Sequence, residues 1–314
     1  MLGRYIPTRF CSNHAAAEST LRKLIGLTSK TPNETRPFVP INYLPKHYQP
    51  SPQVISDLKW MIQKIQLKQD FFLIGPPSRY RVHVLLMLFE MLNFEYEYIL
   101  LNRDTSESDL KQRKELITST MSSVYVDQCV VRAAINGRVL ILDGVEKAER
   151  NLLPIINNLV ENREMQLEDG RFLLPASRCE QLKGDLISRQ MVSVHDDFRV
   201  VCIGLPTPPF RGHSLDPPFR SRFQARKVSH WPLRDQFLIA ANAAPTMDDD
   251  RLARWISFVN AMATDDIQRK ASQVETTEQQ SSKPVNSQPP YFPIDSSLQA
   301  TAIFKNCPMV IALL

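Results

Sequence analysis

Three short runs, FFLIG at 71–75, RVLILDG at 138–144 and FRVVCIGLP at 198–206, are apolar almost throughout and are separated by segments of helix length. A strand that alternates apolar and polar residues buries one face, whereas a wholly apolar strand must bury both. Parallel strands satisfy that demand, and each needs a crossover of a dozen or more residues, usually a helix. The alternation from 71 to 228 therefore predicts an α/β fold: a three-layer sandwich with a mostly parallel sheet.

Periodicity fills in the crossovers. SPQVISDLKWMIQKIQLKQ opens on a Ser cap and sets Val54, Leu58, Met61, Ile62 and Ile65 on one helical face. Residues 80–92 form an apolar helix and FEYEYILL a strand. Ser119 to Asn136 reads as a helix ending at Gly137, and 147–163 as another. MQLEDGRFLL alternates around Asp-Gly, the strongest short hairpin signal. Helices are expected at 177–191, in a short stretch within SLDPPFRSRF, and once or twice over 232–262. From Asp265 to Pro293 the chain turns to Gln, Ser, Thr and Pro, which bury too little apolar surface to offset ordering entropy.

Charge narrows the partners. The first 47 residues hold seven basic side chains against Glu18 and Glu34, which accounts for the whole net charge of +5 and leaves the remainder neutral. Nucleic-acid binders draw affinity from clustered cations, so a neutral body points to no nucleic-acid partner. No run approaches the roughly 20 apolar residues of a membrane span. Five cysteines without metal-type spacing fit a reducing compartment. The opening MLGRYIPTRFCSNHAAAESTLRKLIGLTSK is basic and carries Ser, Thr and Ala with one acid, a transit-peptide composition.

The segment FFLIGPPSRYRVHVLLMLFEML, 71–92, has the layout of a phosphate-binding loop: strand, Gly turn, helix. Such a loop needs glycines for close backbone approach, a Lys for the phosphates and a Ser or Thr hydroxyl on Mg²⁺. Aligned on Gly75, the loop runs through Pro76, Pro77, Ser78 and Arg79. Tyr80 stands at the last glycine, Arg81 at the lysine and Val82 at the hydroxyl. Asp143 ends the second apolar strand, where it either ligates a metal or caps the next turn. The carboxylate wanted beside it is Gly144, with Glu146 two residues on. Leu205 takes the place of a polar residue able to orient water. Arg220 and Arg222 close LDPPFRSRF, as surface ion-pair partners or as a cation for a neighbour's phosphate.

Taken in order, GPP, TSESDLKQRKEL, the long segment from VDQC to RFLLP, FRVVCIGLP and LDPPFRSRF resemble the AAA+ ATPases of the MoxR and dynein-related type over roughly residues 38–245. The resemblance implies the P-loop NTPase (AAA+) sandwich over 38–231 and a partial helical lid over 232–263. It implies a mitochondrial transit peptide and linker over 1–37, and leaves 264–314 as a disordered or truncated tail. ATP and Mg²⁺ are the implied cofactors. Gly75 to Val82 match the phosphate loop, Asp143 the metal ligand, Leu205 the sensor position and Arg222 the arginine finger, with Arg220 second to it. The hairpin around Glu168, Asp169 and Gly170 matches the family insert that faces substrate or partner. Because Tyr80-Arg81-Val82, Gly144 and Leu205 depart from the family pattern, ATP and Mg²⁺ binding is expected to be weak or lost. The implied partners are other AAA+ modules in a ring or larger parent. The alternative is a non-catalytic assembly module without nucleotide binding.

Overall fold

In the computed structural model, residues 36–41, 43, 50–117, 122–182, 190–208, 210–243 and 248–277 are described. The transit-like N-terminus and the last segment lie outside them. In chain order the elements begin with α1 (Pro52–Gln66), β1 (Phe71–Ile74), α2 (Tyr80–Leu92), β2 (Tyr96–Leu100) and α3 (Glu107–Leu110). Then come β3 (Gln112–Ile117), β4 (Ser122–Asp127), α4 (Cys129–Asn136), β5 (Val139–Asp143) and α5 (Leu153–Asn162). There follow β6 (Met165–Gln166), β7 (Phe172–Pro175), α6 (Ala176–Gln181), β8 (Met191–Val194) and β9 (Arg199–Gly204). The chain continues with α7 (Pro217–Ser221), β10 (Gln224–Lys227), α8 (Leu233–Ala243) and α9 (Asp249–Thr277).

Five strands form one parallel sheet in the order β10-β1-β9-β5-β2. The three apolar runs supply β1, β5 and β9 at its centre, as double burial requires. The two-residue period sorts their side chains between two cores. Phe71, Leu73, Val139, Ile141, Val201 and Ile203 face α1, α2, α8 and α9. Phe72, Leu140, Leu142, Val200 and Cys202 face α4, α5 and α7. This is the expected three-layer sandwich.

Local signals explain several boundaries. Ser51 caps α1, its hydroxyl accepting the Val54 N–H, and Pro52 takes the first helical position. Gly137, at φ +69°, closes α4 in the left-handed conformation that suits glycine.

Four expectations need correction. No single helix spans Ser119–Asn136: SSVYVD, rich in β-branched and aromatic residues, is β4 and pairs antiparallel with β3, and the helix starts at Cys129. The helix expected over 147–163 begins only at Leu153, where Pro154 marks its first turn. Over 177–191 the short α6 ends at Gln181, residues 183–189 lie outside the described set, and Met191 already opens β8. Helix α9 runs past residue 263 to Thr277, into the polar segment expected to be disordered.

Candidate functional site

Strand β1 sends its crossover towards β2 at one edge, while β9 sends its own past β1 to β10 at the other. In open parallel sheets, ligands bind outside the carboxyl ends of strands where connections diverge in this way. Gly75, Gly204–Leu205 and Asp143 all lie on that edge. The register fixes them there: Ile74 is level with Gly204, and Asp143 with Ile203.

Gly75 is required by a close approach. A Cβ there would stand 2.0 Å from the Val228 carbonyl oxygen, where the chain leaves β10. Pro76, Pro77 and Ser78 are half-buried and Arg79 is exposed. Ser78 Oγ accepts the Tyr80 N–H at 3.1 Å as α2 begins. Tyr80, at the expected glycine position, is fully buried. Its ring meets Trp231 at 4.7 Å, and its hydroxyl donates to Asp57 Oδ2 at 2.9 Å. Asp57 Oδ1 accepts Arg226 Nε at 2.8 Å, so this tyrosine is built into the joint between α1, α2 and β10. Val82 is half-buried and offers no hydroxyl.

Arg81 turns inward. Its Cδ lies 3.4 Å from the Cβ position of Gly75, and its Nη1 donates to the Gly204 carbonyl. The next N–H, that of Leu205, donates to Glu146 Oε2 at 3.1 Å. One peptide group at the end of β9 is therefore held between a guanidinium on its oxygen and a carboxylate on its N–H. Glu146 is only 2% exposed. Burial pushes its carboxyl above the usual range, while backbone N–H donors and the charges of Lys147 and Arg81 oppose the rise.

Asp143 accepts the Tyr98 hydroxyl at its Oδ2, 2.7 Å away. Desolvation, and then the hydrogen bond and charge of Asp143, push the Tyr98 phenol well above its ordinary value, so it stays protonated and donates. Gly144 has φ +79°, and a Cβ on it would meet the Leu101 carbonyl at 3.0 Å. Any L side chain at the position next to Asp143 is thus strained. Gly144→Glu is expected to lower stability by about 1–2 kcal/mol, the cost of left-handed backbone for a side-chain-bearing residue, and to produce no ATP turnover. Thermal unfolding and phosphate release check both parts.

Arg222 follows α7 and pairs with Glu161 of α5, whereas Arg220 is exposed. The Asp-Gly hairpin forms as β6–β7, with Gly170 at φ +91°. Its Asp169 accepts Gln112 Nε2 from β3 at 2.9 Å and Arg171 Nε at 2.6 Å. Partial desolvation notwithstanding, these donors lower the Asp169 carboxyl below its ordinary value. Arg171 also pairs with Asp127 of β4, so the turn of the β6–β7 hairpin is clasped to the base of the β3–β4 hairpin. Among the described residues no cluster of three or more His, Cys, Asp or Glu is arranged to hold a metal, and no helix is long and apolar enough to cross a membrane.

Residues 70–223 match the AAA domain of the dynein-related subfamily. These residues are a dynein-related AAA domain. Members of this family use nucleotide and Mg²⁺ generally. The chain is also similar to von Willebrand factor A domain-containing protein 8 of Mus musculus, at 42% identity over 286 residues, 90% of this chain. It spans 14% of that much longer protein. Among solved structures, it is similar to a putative ATPase from Cytophaga hutchinsonii (11% identity, TM-score 0.45, 79% of this chain and 66% of that one). It is also similar to a mutant of RuvB from Thermotoga maritima (13% identity, TM-score 0.41, 72% and 69%).

The AAA-domain residues picked from sequence, Gly75 to Val82, Asp143 and Leu205, do converge on one edge, whereas Arg222 lies apart on the α5–α7 side. Sequence reasoning gave no role to Glu146, Tyr98, Asp57 or Glu161. Glu161 did carry a signal: a carboxylate in the last turn of a helix opposes the helix dipole and so asks for a cation.

Proposed function

We propose that this chain is an AAA+ module whose own nucleotide site has lost its chemistry, and whose Arg222 serves an adjacent module in a larger mitochondrial ATPase assembly. The observation that carries the reading is the held peptide at the end of β9. The cation at the lysine position, Arg81, and the first carboxylate after Asp143, Glu146, are both engaged on Gly204–Leu205. The other groups fit Mg²⁺–ATP no better. Tyr80 is anchored in the core, Val82 has no oxygen to give a metal, and Asp143 holds the Tyr98 hydroxyl. Phosphoryl transfer depends on positioning and electrostatics, so a site without these groups has little left to accelerate it.

The assembly part of the reading rests on the relative's far greater length and on Arg222 itself, since a finger acts on a neighbour's nucleotide and survives decay of its own pocket. The mitochondrial part rests on the composition of the first 30 residues. The pairing of Arg222 with Glu161 favours a second reading, a purely structural assembly module.

The test is calorimetric titration of the chain with ATP and Mg²⁺, followed by a phosphate-release assay on the same sample. The expected outcome is no saturable heat at millimolar ATP and no release. Saturable binding with turnover would make the chain an autonomous ATPase and sink the proposal. The role of Arg222 is read separately: Arg222→Ala in the assembled longer protein is expected to slow hydrolysis at the adjacent module.

A further inference from the structure

Arg222 does not stand in solvent as a bare cation. Its Nε donates to Glu161 Oε2 at 3.1 Å, its Nη2 pairs with the same carboxylate, and its Nη1 donates to the Pro218 carbonyl of its own helix. All three guanidinium nitrogens are turned onto this chain. The Arg222 side chain is 21% exposed and that of Glu161 is 54% exposed. Glu161 lies in the last turn of α5, where Arg163 Nη1 already donates to the Leu159 and Val160 carbonyls, so its carboxylate is left to Arg222. The backbone there is fixed independently, because Arg163, the α5 cap, pairs with buried Asp70 at 2.8 Å. The Glu161 side chain can therefore let go without unseating the helix.

We propose that Glu161 is a positioning residue that holds Arg222 folded against α5 and yields it to a phosphoryl anion on a neighbouring module. This rests on reading Arg222 as a finger for that neighbour. The competition favours release. A half-exposed single ion pair biases an equilibrium by up to about fivefold. A polyphosphate brings more charge and several acceptor oxygens to the planar fork of the guanidinium. The finger is thus withheld from weak anions and released to strong ones.

The probe is inorganic pyrophosphate, titrated at low ionic strength into the full 314-residue chain carrying ¹⁵N-arginine. The Arg222 Nε–H resonance, assigned by its loss in Arg222→Lys, is the readout. Glu161→Gln is expected to shift this resonance and to tighten pyrophosphate binding three- to fivefold. Glu161→Asp, one methylene shorter, should fall between the two. The gain should vanish in Glu161→Gln/Arg222→Gln. An unmoved resonance with unchanged affinity in Glu161→Gln would overturn the proposal, as would a gain that persists without Arg222. The finger reading fails separately. Pyrophosphate gains with no effect of Arg222→Ala on the neighbour's hydrolysis would sink it and leave the hold by Glu161 standing.

Discussion

Arg81→Ala is expected to lower the stability of the chain by about 2–3 kcal/mol, the scale of losing a buried hydrogen bond from a charged donor together with the space its stem fills, and to leave any response to ATP unchanged. The arginine is 6% exposed and the glutamate 2%. With the guanidinium gone, Glu146 keeps the Leu205 N–H but loses a nearby positive charge, and its already raised carboxyl rises further. The Gly204 carbonyl keeps only the Gly75 N–H, at 3.3 Å. A void opens where the arginine stem crossed Gly75. Arg81→Met with Glu146→Gln should recover most of the loss, because two neutral side chains of similar length still fill the space and one still accepts from Leu205. That rescue separates structure from nucleotide chemistry: a phosphate-gripping arginine would gain nothing from neutralising Glu146. Thermal unfolding with and without Mg²⁺–ATP reads both. Unchanged stability together with a lost ATP response would instead mean that Arg81 stands in for the lysine of the loop.

The part of this site that is legible in sequence is its spacing. Gly75, Asp143 and Leu205 each end an apolar strand, and three parallel strands bring their ends to one edge by geometry alone. What those residues touch was not legible, because each partner is remote in the chain. Arg81 bonds a carbonyl 123 residues away, Arg222 a carboxylate 61 away, and Glu146 an N–H 59 away. No periodicity encodes such pairs. The fold shows the same division. Helices α1 and α2 declare themselves because they bury a face. The β3–β4 hairpin does not, since Arg113, Lys114, Glu115, Leu116, Val124 and Tyr125 are all exposed and neither face carries a burial pattern. The edge strand β10, QARK, is hidden for a similar reason: only one of its four residues is even half-buried.

A second large effect is expected at Asp70, a residue outside every motif. It sits just before β1, 7% exposed, and joins three elements. Its Oδ1 accepts the Val200 N–H of β9 at 2.8 Å, its Oδ2 accepts Arg163 Nη2 at 2.8 Å, and its carbonyl accepts the Gln224 N–H of β10 at 3.1 Å. Asp70→Ala strips Arg163 of its carboxylate partner and orphans a buried backbone donor together. The loss should be about 3–5 kcal/mol, which for a folded unit of this size lowers Tm by roughly 10 °C.

Asp70→Asn separates charge from geometry, since its amide oxygen still accepts from Val200. Burial raises the Asp70 carboxyl above its ordinary value of 3.8, against the opposing pull of the Arg163 charge and the Val200 N–H. The ionised form is thus dearer in the folded chain than in the unfolded one. Its contribution to stability is complete below the unfolded value and is lost as pH rises through the folded one. The stability of the native chain relative to Asp70→Asn should therefore fall as pH climbs out of the carboxylate range. A difference that grew with pH would mean that the pairing with Arg163 outweighs desolvation and that the folded carboxyl is depressed, so denaturant unfolding of both chains across that range decides which force governs this joint.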